Sequence, residues 1–310
     1  MKRSTTSALT LLLLTALAGC GTGGGTGATG GTRPAPPQLG DIPTITGVAQ
    51  VVRPIDAYLP TAAQSRTVER AAYLTSARCL RRLGITEPPG PDPARAEPAD
   101  GDVRSRLYGY FAPDRVATTG YDAVVATGTG QPASPATVQV LTGRDATGTP
   151  VADFQGRAVP RGGCLQEGLD AVGGAVFLTS DPSALPGGGP QEPLTDPRVV
   201  AADRQWSSCM KDRGFAYATP ADAYMDPRWR SGRTQGAAAP ADHTPAELAT
   251  AAADDACKRS TNFMGIAVAV QAAYDRQYIA AHPQELAAFA QGVSRHVADA
   301  QKLVAQGAAG

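Results

Sequence analysis

Two stretches of this chain share one layout, and that layout constrains the fold more than any other feature. ARCLRRLGI (77–85) and SSCMKDRGF (207–215) each run cysteine, large apolar residue, charged positions, glycine five after the cysteine, then an apolar residue. Each closes a helical pattern. Val68, Ala72, Cys79 and Leu83 fall on one face of the first, and Val199, Ala202, Trp206, Cys209 and Met210 on one face of the second. Gly84 and Gly214 then occupy the position just past the helix, where a left-handed backbone costs glycine little. Each helix is followed downstream by one further cysteine, Cys164 in RGGCLQEG and Cys257 in DDACKRS. Four cysteines allow three pairings. The simplest reading is two similar units, about 60–180 and 195–310, closed by Cys79–Cys164 and Cys209–Cys257.

The fifth cysteine has a different setting. The chain opens MKRSTTSALTLLLLTALAGC, with Lys2 and Arg3 ahead of an apolar run from about Ala8 to Leu17. That run is too short for a transmembrane helix and fits the apolar region of a secretory signal. Leu17-Ala18-Gly19-Cys20 then resembles the lipobox of bacterial lipoproteins. The resemblance implies that residues 1–19 are a signal peptide, cut before Cys20, and that the Cys20 sulfur carries a diacylglyceryl group. Two acyl chains suffice for stable anchoring, which makes the membrane a partner through this lipid. Residues 20–45, running on from Cys20 as GTGGGTGATGGTRPAPPQ, are Gly/Thr/Pro-rich and read as a tether. With Cys20 set aside an even number of cysteines remains, as expected where disulfides persist outside the cytoplasmic membrane.

Residues 46–310 are enough for one large domain, and the fold expected is mainly α with a small β-hairpin, a disulfide-braced α+β body. A first helix spans about Thr67 to Leu83. TVQVLTG (137–143) and VADFQGRAVP (151–160) read as short strands with turn signals at DATGTP and Gln155-Gly156. The aromatics of VRSRLYGYFAPDRVATTGYDA are expected against the core. Asp196-Pro197 opens the Trp206 helix as cap and first residue. Thr244-Pro245-Ala246-Glu247 is a capping-box start to a helix running to about Ile279. Its Asp254/Lys258 and Asp255/Arg259 pairs read as a solvated face. Pro283 starts a last helix with a Leu286, Phe289, Val293, Val297 stripe, paired antiparallel with its predecessor.

Basic and acidic residues balance at 28 each, and loss of Lys2 and Arg3 with the signal leaves 26 against 28. That balance carries no nucleic-acid footprint. GTGGGTG lacks the Lys-Ser/Thr of a phosphate loop. Ser208-Cys209-Met210-Lys211 fits S-x-x-K, yet the S-D-N and K-T-G strings that accompany that nucleophile are missing. A nucleophilic Cys209 would need a base, and His243, His282 and His296 all lie in exposed-looking sequence. The cysteines are spaced too widely for a zinc site. No catalytic, metal or cofactor site is therefore assigned. Trp206 is expected to pack against the second bridge. Trp229, with Arg228 and Arg230 beside it in AYMDPRWRSGR, is the candidate partner contact, since aromatics and arginine anchor interfaces.

DPRVVAADRQWSSCMKDRGFAYATPADA followed by PAELATAAADDACKRSTNF resembles a group of uncharacterised secreted lipoproteins from actinobacteria. RLYGYFAPDRVATTGY and LTGRDATG…FQGRAVPRGGCLQE are similar to the middle region of that group. The resemblance implies disulfides and an anchored location on the outer face of the cell membrane, and implies no activity. The expectation is a non-enzymatic protein that binds an envelope protein or ligand, or serves structurally there. A small-ligand carrier, or a cell-envelope enzyme without a recognisable motif, is the alternative.

Overall fold

A computed structural model describes residues 35–95, 103–121, 133–230 and 243–308. The signal, Cys20 and most of the expected tether lie outside these residues. The described residues from Pro36 onward form one compact unit that is mainly helical, with two small antiparallel hairpins among them. Among the described residues no helix is long and apolar enough to cross a membrane.

Helix α1, Ala62–Arg82, starts five residues before the expected Thr67 because Thr61 and Gln64 form a capping box. The Thr61 hydroxyl accepts from Gln64 N–H at 3.2 Å, and Gln64 Oε1 accepts from Thr61 N–H at 2.8 Å. This Thr-x-x-Gln signature satisfies two otherwise orphaned groups. At the other end Gly84 adopts φ +87° and Ile85 N–H donates to Leu80 O at 3.0 Å. Helix α5, Pro197–Asp212, ends the same way, with Gly214 at φ +88° and Phe215 N–H donating to Met210 O at 3.0 Å. Both ends thus close by the left-handed glycine motif.

Between these helices lie β1 (Val103–Ser105) and β2 (Gly109–Phe111), paired Val103 to Phe111, then α2 (Val116–Thr119). The expected strand 137–143 is instead helical. Helix α3, Pro135–Thr142, is capped by Ser134, whose hydroxyl accepts from Thr137 N–H at 3.3 Å. Ser-Pro at cap and first position outweighs the β-branched residues, and Thr137 and Val140 point inward at i, i+3. The second expected strand folds back on itself. Strands β3 (Asp153–Phe154) and β4 (Arg157–Ala158) form a hairpin about Gln155 and Gly156, both at positive φ. Helix α4, Gly163–Ala171, follows and packs along α1, where Gly168 lets the backbones approach. A Cβ there would meet Ser76 Oγ at 2.3 Å.

The chain then passes through α5, α6 (Pro220–Tyr224) and α7 (Pro227–Arg230) to α8, Pro245–Ser260. The helix expected to run on to Ile279 breaks here. Asn262 takes φ +49°, and α9 begins at Phe263 and ends at Ala281. The N-terminal segment crosses the break, where Asn262 Nδ2 donates to Pro43 O at 3.1 Å. That segment is fastened elsewhere by Arg198 Nη1 donating to Pro37 O at 2.8 Å and by a two-pronged Arg53–Asp275 pair at 3.0 and 2.6 Å. Ile45 and Ile55 are its buried anchors. Helix α10, Pro283–Ala308, does not run back mainly along α9 but packs along α1. Its Leu286, Val293, Val297 and Ala300 are buried, and the last three join α1 residues Val68, Ala71 and Ala72.

Candidate functional site

The four cysteines meet in two bridges, Cys79–Cys164 with Cα atoms 5.5 Å apart and Cys209–Cys257 at 5.7 Å. Both distances suit a disulfide. The first cysteine of each pair stands three residues before the last residue of its helix, as the shared layout requires. The second cysteines differ: Cys164 lies in the first turn of α4 and Cys257 in the last turn of α8. The likeness between the two units therefore stops at the helix ends. Cys209 is bonded to Cys257, which leaves no free thiol there.

The candidate contact at Trp229 is arranged differently from its expectation. Asp226 caps the short α7 by accepting from Arg228 N–H at 2.8 Å, and this turn swings the indole inward. Trp229 is only 4% exposed, donates Nε1–H to Ala223 O at 3.0 Å and stacks on Tyr121 at 5.7 Å between centroids. It is a core residue, not an exposed anchor. Tyr121 in turn meets Tyr110 and Tyr224, and Tyr110 stacks on Tyr224 at 5.7 Å. The surrounding residues are polar, which made the stretch read as a loop. The missed signal was Asp-Pro at 226–227, the same cap-and-proline start used by α5.

Arg228 remains at the surface. Its guanidinium lies 4.8 Å from the Trp229 ring centroid, and Nε and Nη2 donate to Asp226 Oδ2 at 3.0 and 2.8 Å. Tyr217 O–H donates to the same oxygen at 2.8 Å. Hydrogen bonds from Arg228 pull the Asp226 carboxyl down to about 2. Burial, reinforced by the adjacent Asp226 charge, pushes the Tyr217 phenol up to about 12. The result is a guanidinium held in one orientation by a carboxylate, a phenol and an indole face, with Met225, three residues earlier, also exposed. The side chain of Arg230 lies outside the described residues.

Behind this corner sits a charge pair that the sequence placed on a solvated face. Asp254 and Lys258 are each 1% exposed, and Lys258 Nζ lies 2.9 Å from Asp254 Oδ2. Lys258 Nζ also donates to Tyr110 O at 2.5 Å, and Trp206 Nε1 donates to Asp254 Oδ1 at 3.0 Å. The neighbouring Asp255 is buried too, while its partner Arg259 is half-exposed. Cys257 could have revealed this. It must face α5 to bridge Cys209, so Asp254 at i−3 shares its inward side, and Lys258 lies four residues beyond Asp254 on the same stripe. Trp206 lies in the same buried cluster as Cys257, as expected.

The histidines are set apart in structural roles. His243 Nδ1 lies 3.4 Å from the buried Glu247 Oε2, so His243 is less exposed than its sequence suggests. Glu247 leaves the expected capping box half made, because its carboxylate accepts from Tyr121 N–H at 3.1 Å instead. His282 stacks on Tyr278, and His296 lies against Phe177. Among the described residues no group of three or more His, Cys, Asp or Glu side chains is placed to hold a metal. An open cleft at the start of α4 is lined by Pro160, Arg161, Gly162, Gln166, Glu167 and Asp170. Four of these six residues carry charged or amide side chains, whereas small-molecule pockets are typically walled by apolar and aromatic ones.

One carboxylate on α5 lacks compensation. Asp203 Oδ1 is buried with no hydrogen-bond partner, and burial together with the nearby Asp222 pushes its carboxyl up to about 6. A raised carboxyl favours the fold below its unfolded value and costs stability as pH rises through the folded one. Asp203→Asn is expected to match the parent near pH 4 and to exceed it above pH 6. The gain is about 1 kcal/mol, since the site is half open to solvent screening. Urea unfolding at both pH values measures it, and an equal gain at the two would exclude ionisation as the cause.

Comparison with protein-family models, with curated proteins and with solved structures found no match.

Proposed function

We propose that the chain is a lipid-anchored protein on the outer face of the cell membrane, tethered through Cys20, that binds a protein or other component of the cell envelope. The two disulfides support an oxidising, export-side compartment. The observation that carries the binding role is the exposed Arg228 guanidinium, fixed by Asp226 and lying over the Trp229 ring, with Met225 also exposed three residues earlier. Orienting an exposed arginine on a rigid support lowers the entropy lost when it meets a partner. Arginine and methionine are both enriched in interfaces. Trp229 supplies the support and Arg228 the contact.

Two arms test this reading in the native host. A photo-cross-linking residue at Met225 is expected to give one discrete adduct, weakened at least several-fold by Arg228→Ala. Cys20→Ser is expected to move the protein from the membrane to the soluble fraction and to remove its fatty-acid label. An adduct indifferent to Arg228, or none, overturns the binding surface. A Cys20→Ser chain that stays membrane-bound overturns the anchor.

A further inference from the structure

We propose that Cys209 is a thiol–disulfide exchange site, open to a low-molecular-weight thiol while the other bridge of the chain stays shut. The two bridges are set differently. Cys79 and Cys164 are both fully buried among Leu80, Leu83, Val140 and Val159. Cys257 is equally buried, but Cys209 is only partly so. Access decides which sulfur a thiolate can reach.

The Cys209 sulfur also has polar neighbours. Arg213 Nη1 lies 2.8 Å from Sγ, and Ser260 Oγ lies 3.5 Å away. Arg213 makes no ion pair among the described residues, so its charge is free to act on the sulfur. A guanidinium there draws in an anionic thiolate and stabilises the thiolate that Cys209 becomes. The last turn of α5 opposes this, because helix C-termini carry a partial negative charge. That charge is about half a unit spread over several carbonyls, against a full charge in contact, so the arginine prevails.

The exchange runs in two steps. An external thiolate attacks Cys209 Sγ, the bond to Cys257 breaks, and its electron pair goes to Cys257 Sγ, which takes a proton because it is buried. A second thiolate attacks the outer sulfur of the mixed disulfide, releasing Cys209 as a thiolate beside Arg213. Two external thiols are oxidised to one disulfide and the protein bridge is reduced. The fold around the opened bridge stays closed, because Trp206 still holds Asp254 across α5 and α8 and Lys258 still holds Tyr110 O. The bridge can therefore be opened without unfolding the chain.

The test uses the folded mature chain with free cysteine as the monothiol, quenched in acid and mapped by differential alkylation. A cysteine adduct on Cys209 is expected first, with Cys79–Cys164 intact and opening at least on the order of tenfold more slowly. Arg213→Gln is expected to slow adduct formation by roughly threefold to tenfold, and added salt to slow the parent but not this variant. Retention of the Cys79–Cys164 bridge reports that the variant is folded. Equal opening of both bridges, an adduct on Cys257, no adduct, or a rate indifferent to Arg213 and salt would each overturn the proposal.

Discussion

Replacing Cys79 and Cys164 together with alanine is expected to lower unfolding free energy by about 4 kcal/mol, a large share of what a domain holds in reserve. The bridge spans 85 residues, and chain entropy makes the stabilisation grow with the loop it closes. The Cys209–Cys257 bridge spans 48, so its double alanine variant is expected to lose about half a kcal/mol less. Burial adds to the difference. Both sulfurs of the first bridge sit in a small cluster with Leu80, Leu83, Ile85, Val140 and Val159, and alanine leaves space there. That cluster is what holds α3, the β3–β4 hairpin and α4 onto the end of α1. Urea unfolding measures the loss, and hydrogen exchange locates it. Protection is expected to fall first over residues 135–171, with α5 and α8 still protected. A uniform fall across the chain would show that the bridge stabilises the whole body rather than this flank.

How much of this was legible beforehand depended on whether a signal was local. The glycines past α1 and α5 were readable because only a left-handed residue closes such an end, and both follow a cysteine by five. Asp196-Pro197 and Thr244-Pro245 marked their helix starts for the same reason, each being a cap that acts on its own neighbours. At 137–143 two local signals conflicted, β-branched residues against Ser134-Pro135, and the cap won. The break at Asn262 was hidden because its support is remote, the Pro43 carbonyl more than two hundred residues away in sequence. The polar neighbours of Trp229 in the chain suggest exposure, whereas Tyr121 and Tyr217 supply its aromatic surroundings from elsewhere in the chain. The Asp254–Lys258 pair has the spacing of a surface pair, and only its place beside the bridged Cys257 shows which way it faces.

Lys258→Met is expected to cost about 3–5 kcal/mol, because it strands the Asp254 carboxylate at 1% exposure without its counter-ion. Tyr110 O loses its ammonium donor in the same change. The penalty belongs to the broken pair and not to the lost lysine. Lys258→Met with Asp254→Asn is therefore expected to recover most of it, since the amide oxygen still accepts from Trp206 Nε1 and no charge is buried. The sign of the pH dependence follows from burial. Burial raises the Asp254 carboxyl against the pull of Lys258, and removing that pull raises it further. A carboxyl raised in the fold costs stability as pH climbs through its folded value. The single variant should accordingly be worst in alkali and recover towards acid, where Asp254 takes up a proton. The double variant should have the flattest profile of the three, having no buried charge to titrate at this place. Chemical unfolding of the three proteins at about pH 5 and pH 8 separates these outcomes. A single variant that loses the same at both would mean that Lys258 acts by packing and by its bond to Tyr110 O, with its charge irrelevant. One that loses less than about 1 kcal/mol would mean that water or local rearrangement compensates Asp254, and the pair would then be no brace for the joint between α5 and α8.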